Sequence, residues 1–338
     1  MSLVSVIAPC RNERGHVLAF CDAVAAQRLP PGVQMEVLVA DGQSDDGTRE
    51  ALAQRCLADA RFRLVDNPGR IVSSGLNRCL DQARGAVIVR MDLHTTYADD
   101  YIAECLAALE RSGAANVGGP WRAEGEGGMQ RAIAAAFQSR WIAGGARSRD
   151  LGYEGPVDTV YLGCWPRASF DRHGPFDENL VRNQDDEHNL RLARAGALVW
   201  QSARIRSSYR PRAGIAALFR QQRQYGYWKP FVMRKHGRPA SLRQLVPGLL
   251  VGACGLLALL GLAWPLAWLA LAELLALYAL FVAACSLAVA REAGMGLLPR
   301  LPAVIVAYHG GYGLGTLRGW FDLLVRARPS PAFGALTR

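Results

Sequence analysis

The hydrophobic positions of the first hundred residues form short continuous runs that alternate with segments of helical spacing. Residues 4–9 are apolar except for Ser5, and residues 37–40 of a predicted strand over residues 36–41 are all apolar, which is typical of strands buried on both faces of a parallel sheet. Residues 13–27 and 47–56 follow these runs with apolar positions three and four apart. The alternation predicts an α/β fold in which a doubly wound, mostly parallel sheet is flanked by helices.

The pattern changes after residue 244, where Glu273 is the one charged residue between Leu245 and Ala290. Pro265 divides this block into parts of about 20 and about 25 residues, each long enough to cross a bilayer core of ~30 Å. Residues 302–317 are a third candidate span. A soluble helical hairpin is the alternative. Because a charge in lipid is costly, we expect Glu273 to face a partner helix or a polar cavity.

These patterns divide the chain into three parts. We expect a cytosolic domain over residues 1–240, a membrane domain of two or three transmembrane or interfacial helices over residues 241–325, and a tail over residues 326–338. The amino terminus shows no basic segment of the kind that opens a signal peptide.

The residues ahead of the apolar block form a basic stretch. The formal net charge is +10, and no acidic residue occurs between Glu187 and Glu273. Such a stretch suits anionic lipid headgroups and a cytoplasmic location of the preceding domain. Nucleic acid is the rival partner, but no zinc-finger spacing or RNA-recognition signature is present, so we expect membrane lipids and no nucleic acid. The eight cysteines show no CxxC spacing, which fits reduced thiols.

Polar residues directly follow the first predicted strands, and open α/β sheets bind ligands at the carboxyl ends of their strands. Asp41 ends a buried strand. We expect its carboxylate to be available to a nucleobase N–H because other residues of the 41–48 loop already supply helix caps. A cap is the alternative for Asp41. Glu13 is placed similarly, while Arg11 and Arg70 can meet ribose or phosphate oxygens or form surface salt bridges.

Asp92-Leu93-His94 follows the predicted strand of residues 87–91. In an extended segment alternate side chains share one side, so Asp92 and His94 are expected to hold one divalent cation together. Mg²⁺ prefers oxygen ligands, whereas Mn²⁺ tolerates imidazole better. Such a cation would bridge a diphosphate and neutralise its charge as it leaves. A capping aspartate beside a packed histidine is the alternative.

Three acids, Asp185, Asp186 and Glu187, open a predicted helix. The helix dipole favours acids there, so capping is an alternative explanation. Three successive acids exceed what capping needs, and one of them, near a sugar acceptor, could remove the proton of the attacking hydroxyl.

Residues 221–228 mix aromatic side chains with hydrogen-bond donors on a predicted helix beside the apolar block. Aromatic faces can line a sugar site, and an arginine can hold a phosphate. An amphipathic helix at the lipid interface is the alternative, and the two interpretations are compatible.

The combined clusters resemble glycosyltransferase family 2, whose members are inverting enzymes with the Rossmann-like GT-A fold. The matching features are the Val-Ile-Ala-Pro-Cys-Arg-Asn-Glu start, the 41–48 loop, the 92–94 motif, and the Gly-Pro-Phe-Asp-Glu segment ahead of the acidic helix. Within the family, the chain looks most similar to membrane-bound succinoglycan-type glucosyltransferases, and this likeness rests on residues 90–94, 157–165, 182–188 and 221–229.

The resemblance implies roles for individual residues. It implies a catalytic aspartate at Asp185 and a metal at Asp92, with His94 as a second candidate ligand. Gln184 stands where the family usually has Glu, and His94 replaces the final Asp of the common D-x-D motif. The implied nucleotide and donor contacts are Pro9, Arg11, Glu13, Asp41, Arg70, Asn77 and Asp92. The candidate acceptor contacts are Trp165, Asp186, Gln222, Arg223, Tyr225 and Trp228.

The leading hypothesis is a metal-dependent, inverting hexosyltransferase with several spans in the cytoplasmic membrane and a catalytic domain that faces the cytoplasm. It would use Mn²⁺ or Mg²⁺ to move a hexose, glucose by resemblance, from a UDP-sugar to a polyprenyl diphosphate-linked saccharide in exopolysaccharide synthesis. The alternatives are a polyprenyl-phosphate glycosyltransferase, a processive polysaccharide synthase, and a non-catalytic nucleotide-binding membrane partner. No G-x-x-x-x-G-K-[ST] is present, which argues against a P-loop NTPase.

Overall fold

The computed structural model describes residues 2–142 and 144–335. The chain divides into two compact units, one of residues 1–122 and 147–209 and the other of residues 123–146 and 210–338. This division differs from the expected boundary at residue 240, because residues 123–146 and 210–240 group with the apolar helices.

The first unit contains a mixed sheet flanked by helices. The described strands are β1 (Ser2–Cys10), β2 (Val33–Asp41), β3 (Phe62–Asp66), β4 (Val87–Arg90), β5 (Thr95–Tyr97), β6 (Asn116–Gly119), β7 (Arg122–Ala123), β8 (Gly155–Pro156), β9 (Tyr161–Pro166), β10 (Val199–Gln201) and β11 (Ser207–Tyr209). Within the described residues, eight of them form this sheet in the order β3-β2-β1-β4-β9-β6-β10-β8. The helices of this unit are α1 (Val17–Ala25), α2 (Thr48–Ala58), α3 (Val72–Gln82), α4 (Tyr101–Ser112), α6 (Arg167–His173) and α7 (Gln184–Arg194), and α5 (Gly127–Gln138) belongs to the second unit.

The central strands are buried on both faces, as their continuous apolar sequence predicts. Alternate residues of β1 and β2 enter two separate cores, so Val6 and Val37 lie in one while Ile7 and Leu38 lie in the other. All four of these side chains are fully buried. The doubly wound layer arrangement is therefore confirmed, with helices covering each face.

The parallel register brings the ends of four strands to one edge of the sheet. Cys10 lies opposite Asp41, and Asp41 lies opposite Asp66. On the other side of β1, Ile7 pairs with Arg90, the last residue of β4. The next strand, β9, runs antiparallel to β4, so the sheet is mostly but not wholly parallel. This edge is where the polar clusters of the sequence emerge.

The second unit is helical, and its long helices approach each other through glycines. Its remaining helices are α8 (Ile215–His236), α9 (Val246–Leu260), α10 (Leu266–Ala293) and α11 (Leu301–Phe321). A Cβ on Gly226 of α8 would overlap the carbonyl oxygen of Tyr312 of α11, and a Cβ on Gly315 would overlap that of Arg223. Such glycines let two helix backbones pack in direct contact.

We expect Gly226→Ala to destabilise the second unit, because the added Cβ has no space between α8 and α11. Forcing atoms into a packed interface costs about 1–3 kcal/mol or more. Thermal unfolding of the detergent-solubilised protein measures the loss. Gly310→Ala is the matched control, since a Cβ there meets the nearest ring atom of Phe219 at 4.0 Å, an ordinary contact. Equal melting temperatures for the two variants would contradict this packing.

Two described helical segments are long and apolar enough to cross a membrane, Leu242–Leu260 and Leu266–Ala293. Each has an 18-residue window of which 6% is buried, so their apolar faces are exposed rather than packed in a core. The third candidate, residues 302–317, lies in α11. By length and apolar composition, α11 is not one of the described helices that could cross a membrane. The side chain of Glu273 is exposed on α10. The expectation that it faces a partner helix or a polar cavity stays a prediction.

Candidate active site

The loops after β1 and β2 are joined by side-chain hydrogen bonds. The backbone N–H of Asn12 donates to Ser44 Oγ at 2.7 Å, and that of Glu13 donates to Thr48 Oγ1 at 2.8 Å. In return, Asn12 Oδ1 accepts the N–H of Asp45 at 3.0 Å. Asn12 has a positive φ of 50°, a conformation that Asn tolerates better than most residues. These bonds hold both loops against each other at the rim of the sheet.

Asp41 has local partners, contrary to the sequence expectation. Its carboxylate is fully buried, accepts the N–H of Ser44 at 3.2 Å, and pairs with Arg49 Nη1 at 3.2 Å. Arg49 also pairs with Asp66 at 2.6 Å, and the hydrogen bonds to Asp66 and then Asp41 raise the pKa of its guanidinium. The helix that follows the loop places Arg49 over the strand ends, a contact that no local pattern shows. A nucleobase contact through Asp41 stays a prediction.

Other predicted nucleotide residues lie on the same rim. Pro9 and Arg11 flank the end of β1, and a Cβ on Gly42 would meet Arg11 Cβ at 3.2 Å, so the arginine lies over this glycine. Glu13 is half-buried, and its carbonyl oxygen accepts backbone N–H groups at the start of α1. Arg70 is exposed, and its Nε donates to Gln43 Oε1 at 2.6 Å. The rim therefore gathers these side chains at neighbouring strand ends.

Asn77 is engaged in positioning another segment. Its amide nitrogen donates to the carbonyl oxygen of Phe176 and to Glu178 Oε1, both at 2.9 Å, and its Oδ1 accepts the N–H of Phe176 at 2.9 Å. Both amide hydrogens are thus used within the protein. Asn77 holds the segment that leads towards α7, and its predicted donor contact would require these bonds to open.

Asp92 lies directly after β4 and is held by Arg90. The guanidinium donates from Nε to Oδ1 and from Nη2 to Oδ2 of Asp92, both at 2.9 Å. Burial raises the pKa of Asp92, but the charge and hydrogen bonds of Arg90 outweigh it, and the net pKa lies below its usual range. Electrostatic interactions with His94 and Arg182 act in the same direction. Asp92 is therefore held as a carboxylate.

Residues 92–94 form a turn instead of the extended segment expected. The N–H of Thr95 donates to the carbonyl oxygen of Asp92 at 3.2 Å, which closes the turn. The expectation that strand alternation places Asp92 and His94 on one side is therefore wrong, because β4 ends at Arg90. His94 is exposed, its ring lies edge-on to Tyr209 at 6.2 Å, and it interacts electrostatically with Asp92.

The donor set of this turn suits a cation that arrives with a diphosphate. The described residues contain no group of three or more His, Cys, Asp or Glu side chains that could hold a metal ion. One carboxylate and one imidazole are too few for a resident ion, but phosphate oxygens and water complete such a coordination shell. Metal binding by Asp92 and His94 stays a prediction, and a carboxylate oxygen together with an imidazole nitrogen would suit Mn²⁺ better than Mg²⁺.

Asp185 faces the same guanidinium as Asp92. It lies in the first turn of α7, with its side chain 36% exposed, and its Oδ2 is 3.9 Å from Arg90 Nη1. Its Oδ1 accepts the N–H of Asp186 at 2.9 Å. The fold therefore brings the predicted metal carboxylate and the predicted base to one site, on either side of Arg90. Arg90 was not identified from the sequence, although a cation at the end of an apolar strand was a signal that could have found it.

The three acids of α7 differ in burial and in their partners. Glu187 is fully buried and pairs with Arg191 at 2.9 Å, one turn later on the helix. Arg191 also donates to the carbonyl oxygens of His173 and Pro175, so this pair fixes the helix start. Asp186 is half-buried. Among the three, Asp185 is the acid placed beside Arg90.

Trp165 is a core residue instead of an acceptor contact. It is 1% exposed, and its indole packs against Phe170, Phe176 and His188. Gly163 faces the indole edge so closely that any Cβ there would overlap it. The alternation of β9 directs Trp165 inward, which the sequence motif did not indicate.

Asp186, on α7, is half-buried, and its acceptor contact stays a prediction. The four other predicted acceptor residues lie on α8 in the second unit. Gln222 is 5% exposed and Trp228 is 2% exposed, so neither side chain is accessible to an acceptor. Tyr225 is half-buried, whereas Arg223 is exposed, with its guanidinium 5.3 Å from the ring of Phe333. Trp228 is buried because it packs against Tyr227 and Phe231 of its own helix. Acceptor contacts by Arg223 and Tyr225 stay predictions.

Comparisons with known proteins agree on one family. The family model described as Glycosyl transferase family 2 matches residues 5–168. Succinoglycan biosynthesis protein ExoA of Rhizobium meliloti is 31% identical over 244 residues, which span 72% of this chain and 73% of that protein. A dolichyl N-acetyl-alpha-D-glucosaminyl phosphate 3-beta-D-2,3-diacetamido-2,3-dideoxy-beta-D-glucuronosyltransferase of Methanococcus voltae is 25% identical over 70% of this chain and 75% of its own length.

Solved structures show the same fold at low identity. The mannosyltransferase PcManGT of Pyrobaculum calidifontis, in complex with GDP-Man and Mn²⁺, superposes with a TM-score of 0.57 at 20% identity, over 90% of this chain and 86% of that one. The 1–349 fragment of TarS from S. aureus has a TM-score of 0.51 at 12% identity, over 97% and 92% of the two chains. The fold is GT-A, and the chain belongs to glycosyltransferase family 2.

Proposed function

We propose that this glycosyltransferase is a membrane-anchored, inverting enzyme that moves a hexose from a UDP-sugar to a polyprenyl diphosphate-linked saccharide in exopolysaccharide synthesis. The observation that carries the proposal is the pair of carboxylates, Asp92 and Asp185, on either side of Arg90. Transfer needs a group that manages the leaving diphosphate and a group that accepts the acceptor's proton, and the two must act at one sugar carbon.

Asp185 is the proposed base. The acceptor hydroxyl attacks the anomeric carbon from the face opposite the diphosphate, so the new C–O bond forms as the bond to the phosphate oxygen breaks and the configuration inverts. The hydroxyl proton passes to the Asp185 carboxylate, and the bonding electrons leave with UDP. The partial exposure of Asp185 supports this role, because a base must reach an incoming hydroxyl.

Asp92, with His94, would hold Mn²⁺ or Mg²⁺, and that ion supplies positive charge against the departing diphosphate. The rest of the site is arranged by the protein's own residues. The proposed nucleotide contacts are Arg11, Glu13 and Asp41, and the hydrogen bonds that join the loops after β1 and β2 support this assignment by holding these residues at one edge of the sheet. The solved mannosyltransferase that this fold resembles contains GDP-Man and Mn²⁺, which supports a nucleotide-sugar donor and a divalent cation for this chain as well.

The second unit supplies the proposed membrane anchor. Leu242–Leu260 and Leu266–Ala293 expose apolar faces that water would solvate poorly. Exposed leucines such as Leu259 and Leu269, at 68% and 62%, illustrate those faces. A lipid-linked acceptor explains why a transferase would carry such helices. The likeness to ExoA, a succinoglycan biosynthesis protein, supports an exopolysaccharide pathway. Glucose as the transferred sugar rests on the sequence resemblance to succinoglycan-type glucosyltransferases alone.

The test offers the detergent-solubilised full chain a panel of UDP-sugars and Mn²⁺ with undecaprenyl diphosphate-linked saccharides, and identifies products by mass spectrometry. We expect one hexose added to the lipid-linked saccharide. A sugar on undecaprenyl monophosphate would identify a polyprenyl-phosphate transferase, and a polymer would identify a processive synthase. No transfer from any donor in the panel, with nucleotide binding retained, would favour a non-catalytic partner and contradict the proposal.

A further inference from the structure

Arg90 is an unusual residue for its place in the fold. The other residues of β4 are Val87, Ile88 and Val89, and the strand lies inside the main sheet. The side chain of Arg90 is 7% exposed. Burying a guanidinium is costly unless carboxylates and hydrogen bonds compensate, so a strand residue with no further task would be apolar like its neighbours.

Arg90 has more hydrogen-bonding capacity than its ion pair with Asp92 uses. Its Nε and Nη2 donate to the two oxygens of Asp92 at 2.9 Å, in the bidentate geometry that arginine favours. Its Nη1 is buried and has no hydrogen-bond partner among the described residues. That nitrogen is 3.9 Å from Asp185 Oδ2, which is beyond hydrogen-bond distance but within reach of a small movement.

We propose that Arg90 is a positioning residue that holds Asp92 and Asp185 in one arrangement and opposes binding of the divalent cation at Asp92 until a donor diphosphate accompanies it. This inference rests on the proposed function, because it uses the roles given there to both carboxylates. The guanidinium keeps the two carboxylates from repelling each other in the unliganded protein.

The arrangement has opposite effects on cation binding and on turnover. A buried positive charge close to a divalent cation repels it, so a free cation binds weakly; the negative diphosphate of the donor offsets that repulsion. If a carboxylate oxygen of Asp92 binds the cation, Nη1 of Arg90 remains available to interact with Asp185 Oδ2. The base then stays fixed relative to the donor, and a misplacement of about 1 Å would cost about 100-fold in rate.

The test compares Arg90→Gln with Arg84→Gln in the detergent-solubilised full chain. Arg84 is a matched control because its Nη2 pairs with the buried carboxylate of Glu36 at 2.9 Å, away from the strand ends that form the site. Mn²⁺ binding, with and without UDP, is measured by electron paramagnetic resonance of the free ion. Turnover and KM are measured with the UDP-sugar and lipid-linked acceptor, and thermal unfolding monitors the fold.

For Arg90→Gln we expect Mn²⁺ to bind about tenfold more tightly without UDP, because a unit of opposing charge is removed, and kcat to fall about 100-fold with a smaller change in the KM of the donor. Arg84→Gln should leave both unchanged. A merely structural arginine would give weaker Mn²⁺ binding, a lower melting temperature and lower turnover together, and that result would overturn the proposal. A kcat of Arg90→Gln within about threefold of the kcat of Arg84→Gln would also overturn the proposal.

Arg90→Lys keeps the test decisive if Arg90→Gln fails to fold. An ammonium group keeps the charge but cannot pair with two carboxylates in fixed geometry. We expect Mn²⁺ affinity close to that of the wild type, with kcat reduced at least about tenfold; an unchanged kcat would overturn the proposal. The binding arm needs no turnover, so wild-type protein that binds Mn²⁺ and UDP but transfers no sugar would refute the proposed function separately from the role of Arg90.

Discussion

Replacing Asp185 with Asn is expected to lower the turnover of sugar transfer by about 10²–10⁴-fold, the usual contribution of a general base. Asparagine has nearly the same shape, and its Oδ1 can still accept the N–H of Asp186 that Asp185 accepts at 2.9 Å. The start of α7 and the bonded loops after β1 and β2 should therefore keep their structure, while the group that accepts the acceptor's proton is lost. Transfer is measured by mass spectrometry of the products, and UDP binding by calorimetry should change by less than about twofold, because no nucleotide contact is removed.

Asp171→Asn is the control for this experiment. It removes one carboxylate from an exposed position on α6 and should leave transfer unchanged. Wild-type turnover in Asp185→Asn would refute the assignment of the base. Loss of UDP binding together with a lower melting temperature would mean that Asp185 supports the fold, since a base alone does not contribute to either quantity.

The second large effect concerns Asp92. We expect Asp92→Asn to lower kcat by about 10²–10³-fold, as removal of a group that stabilises developing charge does in other enzymes. Treatment of the wild-type protein with a chelator should cause a similar loss, which added Mn²⁺ restores. In the variant, Mn²⁺ should not restore activity, because the carboxylate that would hold the ion is gone.

Stability must be followed in the same variant. Asn keeps an oxygen for Arg90 Nε but removes the charge that compensates this buried guanidinium, so some loss of melting temperature is expected. His94→Ala separates the two effects, because it removes the second candidate ligand while leaving the Arg90–Asp92 pair intact. Full activity of chelated wild-type protein would contradict a cation-dependent mechanism.

The packing of aromatic residues explains why some site assignments could not be made from motifs. Trp165 lies in a segment that resembles the family, yet it is 1% exposed because β9 turns it towards α6 and α7. Trp228 lies in a segment rich in donors and aromatics, yet it is 2% exposed within the second unit. A motif shows that a residue type occurs at a position, but the pairing of strands and helices decides whether the side chain meets solvent.

The same limit applies to charged residues whose partners are distant in sequence. Arg49 pairs with Asp66, 17 positions later, because α2 lies over the strand ends. Arg90 lies between Asp92 and Asp185 although Asp185 is 95 positions away along the chain. Periodicity and capping rules act over a few residues, so they do not identify such contacts. They did locate the strand ends at which these contacts form.

The sequence by itself determined the alternation of strands and helices, the edge of the sheet where polar residues emerge, and the two apolar helices after residue 244, because these depend on local hydrophobic periodicity. It also carried the motifs by which the family is identified. Only the tertiary structure decided that Asp92 and Asp185 share one arginine, that β9 runs antiparallel, and that Trp165 is buried. The physical reason is that these features arise from packing between segments far apart in the chain, where complementary shape and charge outweigh local preference.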